Sequence, residues 1–414
     1  MAQPDPHLHP GHRLNLLEGS HAYFTALAEA MDAAQHEVWL ETYIFDVTAS
    51  STAVADALAR AAQRGVQVRL VVDGVGTGQL PDAWQARFNA AGVQCRVFSP
   101  VGRLGLLLPR QWRRLHRKLC VVDGAVAFCG GINVLDDFHD PNHGTLDAPR
   151  FDFAVRVTGP LVGDVHATMQ QLWFQLQGLR NIRQRDFKGA VRSFRAAKRA
   201  GQPDSQPENA TKNRAESPGN SRAALVLRDN FRNRTQIERA YRKAIANAHS
   251  EIVIANAYFL PGSKLKRALE MAARRGVKVQ LLLQGKYEYF MQYHAARPVY
   301  GALLKAGVEI HEYAASFLHA KVAVVDGHSE RAWATVGSSN LDPLSLLLAR
   351  EANLLIEDPA FVRQLHDRLL QAMARDGHRV DVADYANRPW LQRAKERLAL
   401  VVVSMALFVQ GKRY

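Results

Sequence analysis

Leu115-His-Arg-Lys-Leu-Cys-Val-Val-Asp-Gly124 returns later in the chain as Leu318-His-Ala-Lys-Val-Ala-Val-Val-Asp-Gly327. These two passages decide how the chain folds. Each reads as a β-branched strand that runs into an Asp-Gly turn. Each is followed by a glycine-rich element, Gly130-Gly-Ile-Asn133 in the first case and Gly337-Ser-Ser-Asn340 in the second. Upstream the echoes continue in the same order. Ala91-Gly-Val-Gln-Cys-Arg-Val-Phe98 matches Ala306-Gly-Val-Glu-Ile-His-Glu-Tyr313, and Ala61-Ala-Gln-Arg-Gly-Val-Gln-Val-Arg-Leu70 matches Ala272-Ala-Arg-Arg-Gly-Val-Lys-Val-Gln-Leu281. Before both lies a helix running into a strand, over Ala30–Phe45 and Ala244–Phe259. A period of about 200 residues is too long for a solenoid and suits a duplicated domain.

Alternating helical stretches and apolar strands predict an α/β fold with two mixed sheets, each flanked by helices. The expected organisation is a polar N-terminal tail over 1–12, a first domain over 13–179, a basic flexible linker over 180–222, a second domain over 223–380 and a basic, apolar C-terminal segment over 381–414. The linker reading rests on its Arg, Lys, Gln, Pro, Ser and Asn content.

Composition bounds the partners. Of 414 residues 47% are hydrophobic and 22% charged, which excludes wholesale disorder and a multi-span membrane protein. A net charge of +14 predicts attraction to a polyanion, either nucleic acid or an anionic membrane. Cys95, Cys120 and Cys129 have no metal-type spacing and read as free thiols in a reducing compartment. Residues 1–13 hold no apolar signal-peptide core, which predicts a protein that stays in the cytoplasm. His7, His9 and His12 lack a Cys or acidic partner at ligand spacing and read as part of a polar tail, with no metal.

The doubled pattern is His-x-Lys-x4-Asp followed by Gly-[Gly/Ser]-x-Asn. It supplies His116, Lys118, Asp123 and Asn133 once, and His319, Lys321, Asp326 and Asn340 again. Residues i and i+2 of a strand share a face, so each His and Lys project together. A neutral imidazole can attack phosphorus while the ammonium beside it neutralises phosphate oxygens, and the Asn amide adds a donor for the phosphate. Two such sets suit phosphodiester exchange, with one His as nucleophile and the other as acid and base. No cofactor or metal is expected, because Lys and Asn supply the electrophilic help. Asp123 and Asp326 complete the signature, and each precedes glycine, so a turn-organising role fits them better than bond-making.

On these residues the chain resembles the phospholipase D superfamily, defined by paired HKD motifs. Arg114–Lys118, Gly130–Asn133 and Gly337-Ser-Ser-Asn-Leu-Asp-Pro-Leu-Ser345 look most like bacterial cardiolipin synthases of the B type. The resemblance implies a bilobal fold with the active site between the lobes, a phosphohistidine intermediate, His116 as nucleophile and His319 as acid/base. It also implies a carboxylate that orients each His, Glu351 after the second motif and Asp152 as the first-half counterpart. The implied reaction joins two phosphatidylglycerol molecules into cardiolipin and releases glycerol. The implied setting is the cytoplasmic face of a bacterial membrane, bound peripherally, with no nucleic acid and with a monomer sufficient for a two-motif site. Pro343-Leu344 stand where many synthases carry an Arg, which leaves substrate preference open. Two rivals remain: a phospholipid hydrolase or nuclease with the same machinery, and a non-catalytic basic membrane-binding module.

Three stretches bear on the membrane. Leu398–Val409 is apolar with basic flanks but too short to cross a core of about 30 Å, and reads as an interfacial anchor. Leu106–Leu108 and Trp112, among Arg103, Arg110, Arg113 and Arg114, suit a loop dipping into lipid. Tyr287, Tyr289, Phe290 and Tyr293 suit either an acyl channel or core packing. Gly74-Val-Gly-Thr-Gly78 lacks the lysine of a phosphate loop and reads as a strand-to-loop turn.

Overall fold

A computed structural model describes residues 6–100, 112–201, 219–229, 233, 235–286, 290–342, 349–386, 388–390, 394, 395, 398 and 401, with the backbone path alone for 290–296, 384 and 386. The chain divides into two compact units. One takes Leu8–Asp136 with Ala154–Leu225, the other Asp137–Phe153 with Val226–Tyr414.

The first unit runs β1 (His9–Glu18), α1 (Gly19–Ala33), β2 (Glu37–Thr42), α2 (Thr52–Gln63), β3 (Gln67–Asp73), α3 (Asp82–Ala91) and β4 (Gln94–Phe98). Then come β5 (Arg114–Leu115), β6 (Lys118–Val122) and β7 (Val126–Gly130). The small hairpin β8 (His139–Asp140) and β9 (Gly144–Thr145) falls in the other unit. Completing the first are β10 (Phe153–Thr158), α4 (Leu161–Arg183), α5 (Phe187–Ala200) and β11 (Ser221–Arg228). Its sheet has the order β11-β1-β10-β7-β6-β2-β3-β4. β2, β3 and β4 are parallel, while β2, β6, β7 and β10 pair antiparallel.

The second unit repeats the plan with α6 (Gln236–Ala246), β12 (Glu251–Asn256), α7 (Ser263–Arg274), β13 (Lys278–Gln284), α8 (Phe290–Lys305) and β14 (Glu309–Tyr313). β15 (Lys321–Val325), β16 (Trp333–Gly337), β17 (Ala349–Glu357), α9 (Pro359–Asp376), β18 (Gly377–Arg379) and α10 (Val382–Ala386) follow. The sheet order is β18-β14-β13-β12-β15-β16-β17. β12–β14 are parallel and β12, β15, β16 and β17 antiparallel, so the mixed sheets expected from the repeat are present in both units. The Arg-Gly stops also recur, with Gly65 at φ +90° and Gly276 at φ +89°, a conformation glycine adopts without strain.

Strand alternation sorts the core. Val38 and Leu40 join Leu27, Met31 and Leu58 in one apolar cluster. Trp39, one residue out of phase, meets α4 instead, with ring centroids 5.4 Å from His166 and 6.0 Å from Trp173. Each unit also clasps a helix to the start of its central strand. His166 Nε2 lies 3.1 Å from Glu37 Oε1, and His366 Nε2 lies 2.9 Å from Glu251 Oε1. The buried thiols of Cys120 and Cys129 are pushed up by burial, and Cys95 is exposed.

Several expected boundaries shift. Residues 9–12 belong to β1 and not to a tail, and His12 is buried with its Nδ1 accepting from Leu161 N at 3.4 Å. Backbone pairing with β11 holds them there, a contact that Pro10 and Gly11 conceal in the sequence. The basic stretch expected as a linker is largely helical at its start. α4 reaches Arg183, α5 spans Phe187–Ala200 capped by Asp186, and β11 begins at Ser221. Residues 202–218 lie outside the described ones, as do 101–111, Tyr287, Tyr289, Pro343-Leu344 and most of Leu398–Val409. The C-terminal segment starts packed on protein, with Tyr385 stacked on Tyr300 and donating to Arg297 O.

The second clasp sets a pH dependence. The imidazole of His366 holds the Glu251 carboxyl below its usual range, and the carboxylate holds His366 above its own. The depressed carboxyl contributes stability above its unfolded value of 4.5, lost as pH falls through its folded value; the raised imidazole contributes below 6.5, lost as pH rises through its folded value. The difference in melting temperature between the parent and Glu251→Gln should therefore be largest between pH 4.5 and 6.5 and shrink at higher pH. Circular dichroism melts across that range check it, and a gap that widens toward pH 9 contradicts it.

Candidate active site

In both units the motif aspartate is a structural anchor. Asp123 stands at φ +50° and Asp326 at φ +51°, each just past the end of its strand. The Asp123 carboxylate accepts from the backbone N–H of Gln35, His36 and Glu37, each at 2.8 Å. Asp326 accepts from His249, Ser250 and Glu251 N–H at 3.0, 2.7 and 3.1 Å, and from Ser250 Oγ at 2.8 Å. Burial works to raise the Asp326 carboxyl, but these donors prevail and hold it below its ordinary value. Neither carboxylate is presented to a substrate by this arrangement; both tie the entry of the central strand to the exit of the motif strand.

The opposite end of that strand carries the motif histidine and lysine. Lys118 Nζ donates to the carbonyl of His116 at 2.6 Å, and Lys321 Nζ donates to the carbonyl of His319. Both lysines are buried, at 1% and 0% exposure, so each ammonium is fixed beside its histidine and not free to swing in solvent. Asn133 Oδ1 accepts from Ile44 N at 3.1 Å, which leaves its Nδ2 as the group chemically suited to a phosphate oxygen. Asn340 is likewise buried. Its turn is held by Asn353, whose Oδ1 accepts from Ser339 N at 3.3 Å and whose Nδ2 donates to Thr335 Oγ1 at 3.2 Å. A side chain on Gly337 would meet Asn353 at 2.3 Å, so glycine is required there.

The orienting carboxylates differ from expectation. Asp152 Oδ2 lies 2.6 Å from Nδ1 of His319, the second motif's histidine, and not beside the first motif. The reason is topological: Asp137–Phe153 comes from the first half of the sequence but packs within the second unit. Phe151 fixes it there. Its N–H donates to Phe317 O at 3.0 Å, and its carbonyl accepts from His319 N at 2.9 Å and Ala320 N at 3.0 Å. Its ring stacks on Tyr313 at 5.3 Å, and Ser316 Oγ donates to Ala148 O at 2.6 Å. Asp152 thus holds Nδ1 of His319, the place expected for Glu351. Glu351 is fully buried and accepts from Ser338 Oγ at 2.5 Å, beneath the glycine-rich turn.

Two features beside His116 have alanine at the matching positions of the second repeat and gave no motif signal. The Tyr43 ring lies 5.0 Å from the imidazole and 5.6 Å from Lys118 Nζ; the second repeat has Ala257 in its place. Arg117 forms a buried ion pair with Glu41 at 2.5 Å and also donates to Thr168 O of α4 at 3.3 Å, where the second repeat has Ala320 and Ala255. The glycine-rich stretch after β3 supports this end of the unit. Asp73 Oδ1 accepts from Val75 and Gly76 N–H and its Oδ2 from Leu115 N, while Thr77 Oγ1 donates to Tyr43 O at 2.9 Å. Its amides are thus turned inward on Asp73.

The family model described as "Cardiolipin synthase, PLD-like domain" matches residues 27–145 and 241–373. Cardiolipin synthase B of Salmonella typhimurium is 40% identical over 389 residues, covering 94% of this chain and 87% of that protein. Cardiolipin synthase B of Escherichia coli K12 is 38% identical over the same shares. Among solved structures, phosphatidylserine synthase of Haemophilus influenzae Rd KW20 superposes with a TM-score of 0.66 at 12% identity, over 98% of this chain and 95% of that one; this is a likeness of fold.

Two conservative substitutions separate the anchoring aspartate from the orienting one. Asp152→Asn should lower phosphodiester turnover by about 10²- to 10⁴-fold with an unchanged melting temperature. Asp326→Asn should lower the melting temperature, because a charged acceptor of several N–H groups is lost. Turnover and thermal melts of both variants check this, and full activity in Asp152→Asn contradicts it.

Proposed function

The chain belongs to the phospholipase D-like cardiolipin synthase family, and from that membership we propose a phosphatidyltransferase that joins two phosphatidylglycerol molecules into cardiolipin and releases glycerol. The observation that carries the reading is His319, its Nδ1 held on buried Asp152, in a chain that repeats the same His-Lys pair at His116 and Lys118. An anion at Nδ1 fixes the tautomer that places the working proton on Nε2, and it stabilises the imidazolium that a proton donor must be.

In the proposed course, a ring nitrogen of His116 attacks the phosphorus of the first phosphatidylglycerol. The bond to the glycerol headgroup breaks, and the leaving oxygen takes the proton from His319. A phosphatidyl group is then carried on His116. The headgroup hydroxyl of a second phosphatidylglycerol gives its proton to His319 and attacks the same phosphorus, which frees His116. One phosphodiester is exchanged for another, so no nucleotide is consumed. Lys118 and Lys321, with the Asn133 and Asn340 amides, are assigned to the charge on the non-bridging oxygens.

The fixed ammonium groups and the family membership favour this transfer over a purely membrane-tethering module. A hydrolase differs only in the acceptor, since water would resolve the same intermediate; the acceptor must therefore be an alcohol held where bulk water is scarce. A single chain carries both motifs, so a monomer suffices. The setting we assign is the bilayer surface on its cytoplasmic face. Among the described residues no helix is long and apolar enough to cross a membrane.

Phosphatidylglycerol vesicles incubated with the protein and a chelator, then resolved by lipid mass spectrometry, should yield cardiolipin and glycerol. His116→Ala and His319→Ala should each lower the yield by about 10³-fold or more. Phosphatidic acid without cardiolipin would make the enzyme a hydrolase.

A further inference from the structure

The α4–α5 hairpin presents a surface that the chemistry above leaves unused. Between residues 180 and 200 stand eight Lys and Arg and one carboxylate, Asp186. That carboxylate caps α5, its Oδ1 accepting from Gly189 N at 2.8 Å. The inner face of α5 is made of small residues, Gly189, Ala190, Ser193, Ala197 and Ala200, all buried. They let the helix lie close against α4, where Asn181 Nδ2 donates to Ser193 Oγ at 3.3 Å. Phe194 lays its ring on Gly178 of α4, while Phe187 and Val191 point the other way.

Phe187 is 65% exposed, Val191 49% and Phe194 39%, and at the end of α4 Leu179 and Ile182 are 52% and 43% exposed. At 3.6 residues per turn, Phe187 and Val191 share one outward stripe, and Lys188, Arg192, Arg195 and Arg199 form the stripe beside it. Exposed apolar side chains bordered by cations are the pattern of a helix that lies in a membrane interface. The basic stripe also borders a cleft of about 470 Å³, lined by Arg192, Arg195 and Arg199 with Phe174 of α4. Three guanidinium groups beside an apolar ring suit a phosphate that carries acyl chains.

We propose that the α4–α5 hairpin docks the protein on an anionic phospholipid bilayer. The exposed Phe187 and Val191 enter the acyl boundary, the basic stripe lies at the headgroups, and the arginine cleft seats a lipid phosphate. The proposal rests on the reading that the substrates are bilayer lipids, and it names the surface that meets them. Nucleic acid shares the phosphate chemistry and its bases could stack on Phe187, but Val191, Leu179 and Ile182 give bases no stacking face and suit acyl chains.

The test uses the full-length protein and two exposed-site variants, Phe187→Ser/Val191→Ser and Arg192→Gln/Arg195→Gln/Arg199→Gln. Sedimentation with vesicles of phosphatidylglycerol and phosphatidylethanolamine, or of phosphatidylcholine alone, measures partition. Turnover of phosphatidylglycerol in mixed detergent micelles is measured beside it, and thermal melts confirm folding. Expected are a preference of the parent for anionic vesicles and at least a tenfold loss of that partition in each variant, at about fivefold per basic residue for the arginine set. Micellar turnover should stay within twofold of the parent. Unchanged partition in both variants overturns the docking surface, as does a parent that binds phosphatidylcholine equally well. Loss of single-stranded DNA binding with vesicle partition intact overturns it in favour of a nucleic-acid surface. Loss of micellar turnover in the parent itself would instead count against the enzymatic reading, whatever the vesicles show.

Discussion

Each unit hangs on one carboxylate that collects three consecutive backbone N–H groups. Asp123 does so for Gln35 to Glu37 and Asp326 for His249 to Glu251, both from a left-handed backbone position. A backbone N–H that enters the sheet without a partner would be costly, and here the partner sits at the end of the neighbouring strand. The tie sets the antiparallel register of β6 on β2 and of β15 on β12. Because side chains alternate along a strand, a slip of one residue would turn each histidine and its lysine together to the opposite face. The anchor and the reacting end are thus coupled through register, although the full strand separates them.

On this shared frame the two histidines are furnished differently. Asp152 holds Nδ1 of His319, and the Tyr43 ring lies beside His116. A carboxylate suits a group that must carry a proton in one step and surrender it in the next, whereas an imidazole beside an aromatic ring suits attack. The buried Arg117–Glu41 pair adds a further asymmetry. It joins β6, β2 and α4 behind the first histidine, where the second repeat has alanines.

The duplication, the mixed sheets and the His-Lys pairs were readable in the sequence because they rest on local patterns that occur twice. Helix stops at Arg64-Gly65 and Arg275-Gly276, strand runs and turn glycines all carry their own signals. What escaped depends on long-range packing. Asp152 stands after the first motif in sequence, so symmetry assigns it to the first histidine; only the packing of Phe151 against Phe317 and His319 shows that its segment belongs with the second. The α5 helix was hidden by a composition that imitates a linker, since the residues that press it against α4 recur at helical spacing but are small and only weakly apolar. Glu41 lies in β2 and Tyr43 just past its end, with nothing to distinguish them from core.

The central claim is that the two motif histidines divide the labour, with His116 carrying the phosphatidyl group and His319, held by Asp152, moving the proton. Rapid quench of the parent enzyme into neutral denaturant during turnover of phosphatidylglycerol, followed by peptide mass spectrometry, tests it most directly, because the phosphorus–nitrogen bond of the carried group survives outside acid. The account predicts a phosphatidyl adduct on the peptide containing His116 and none on the peptide containing His319. An adduct on the peptide containing His319, with none on the one containing His116, would contradict it.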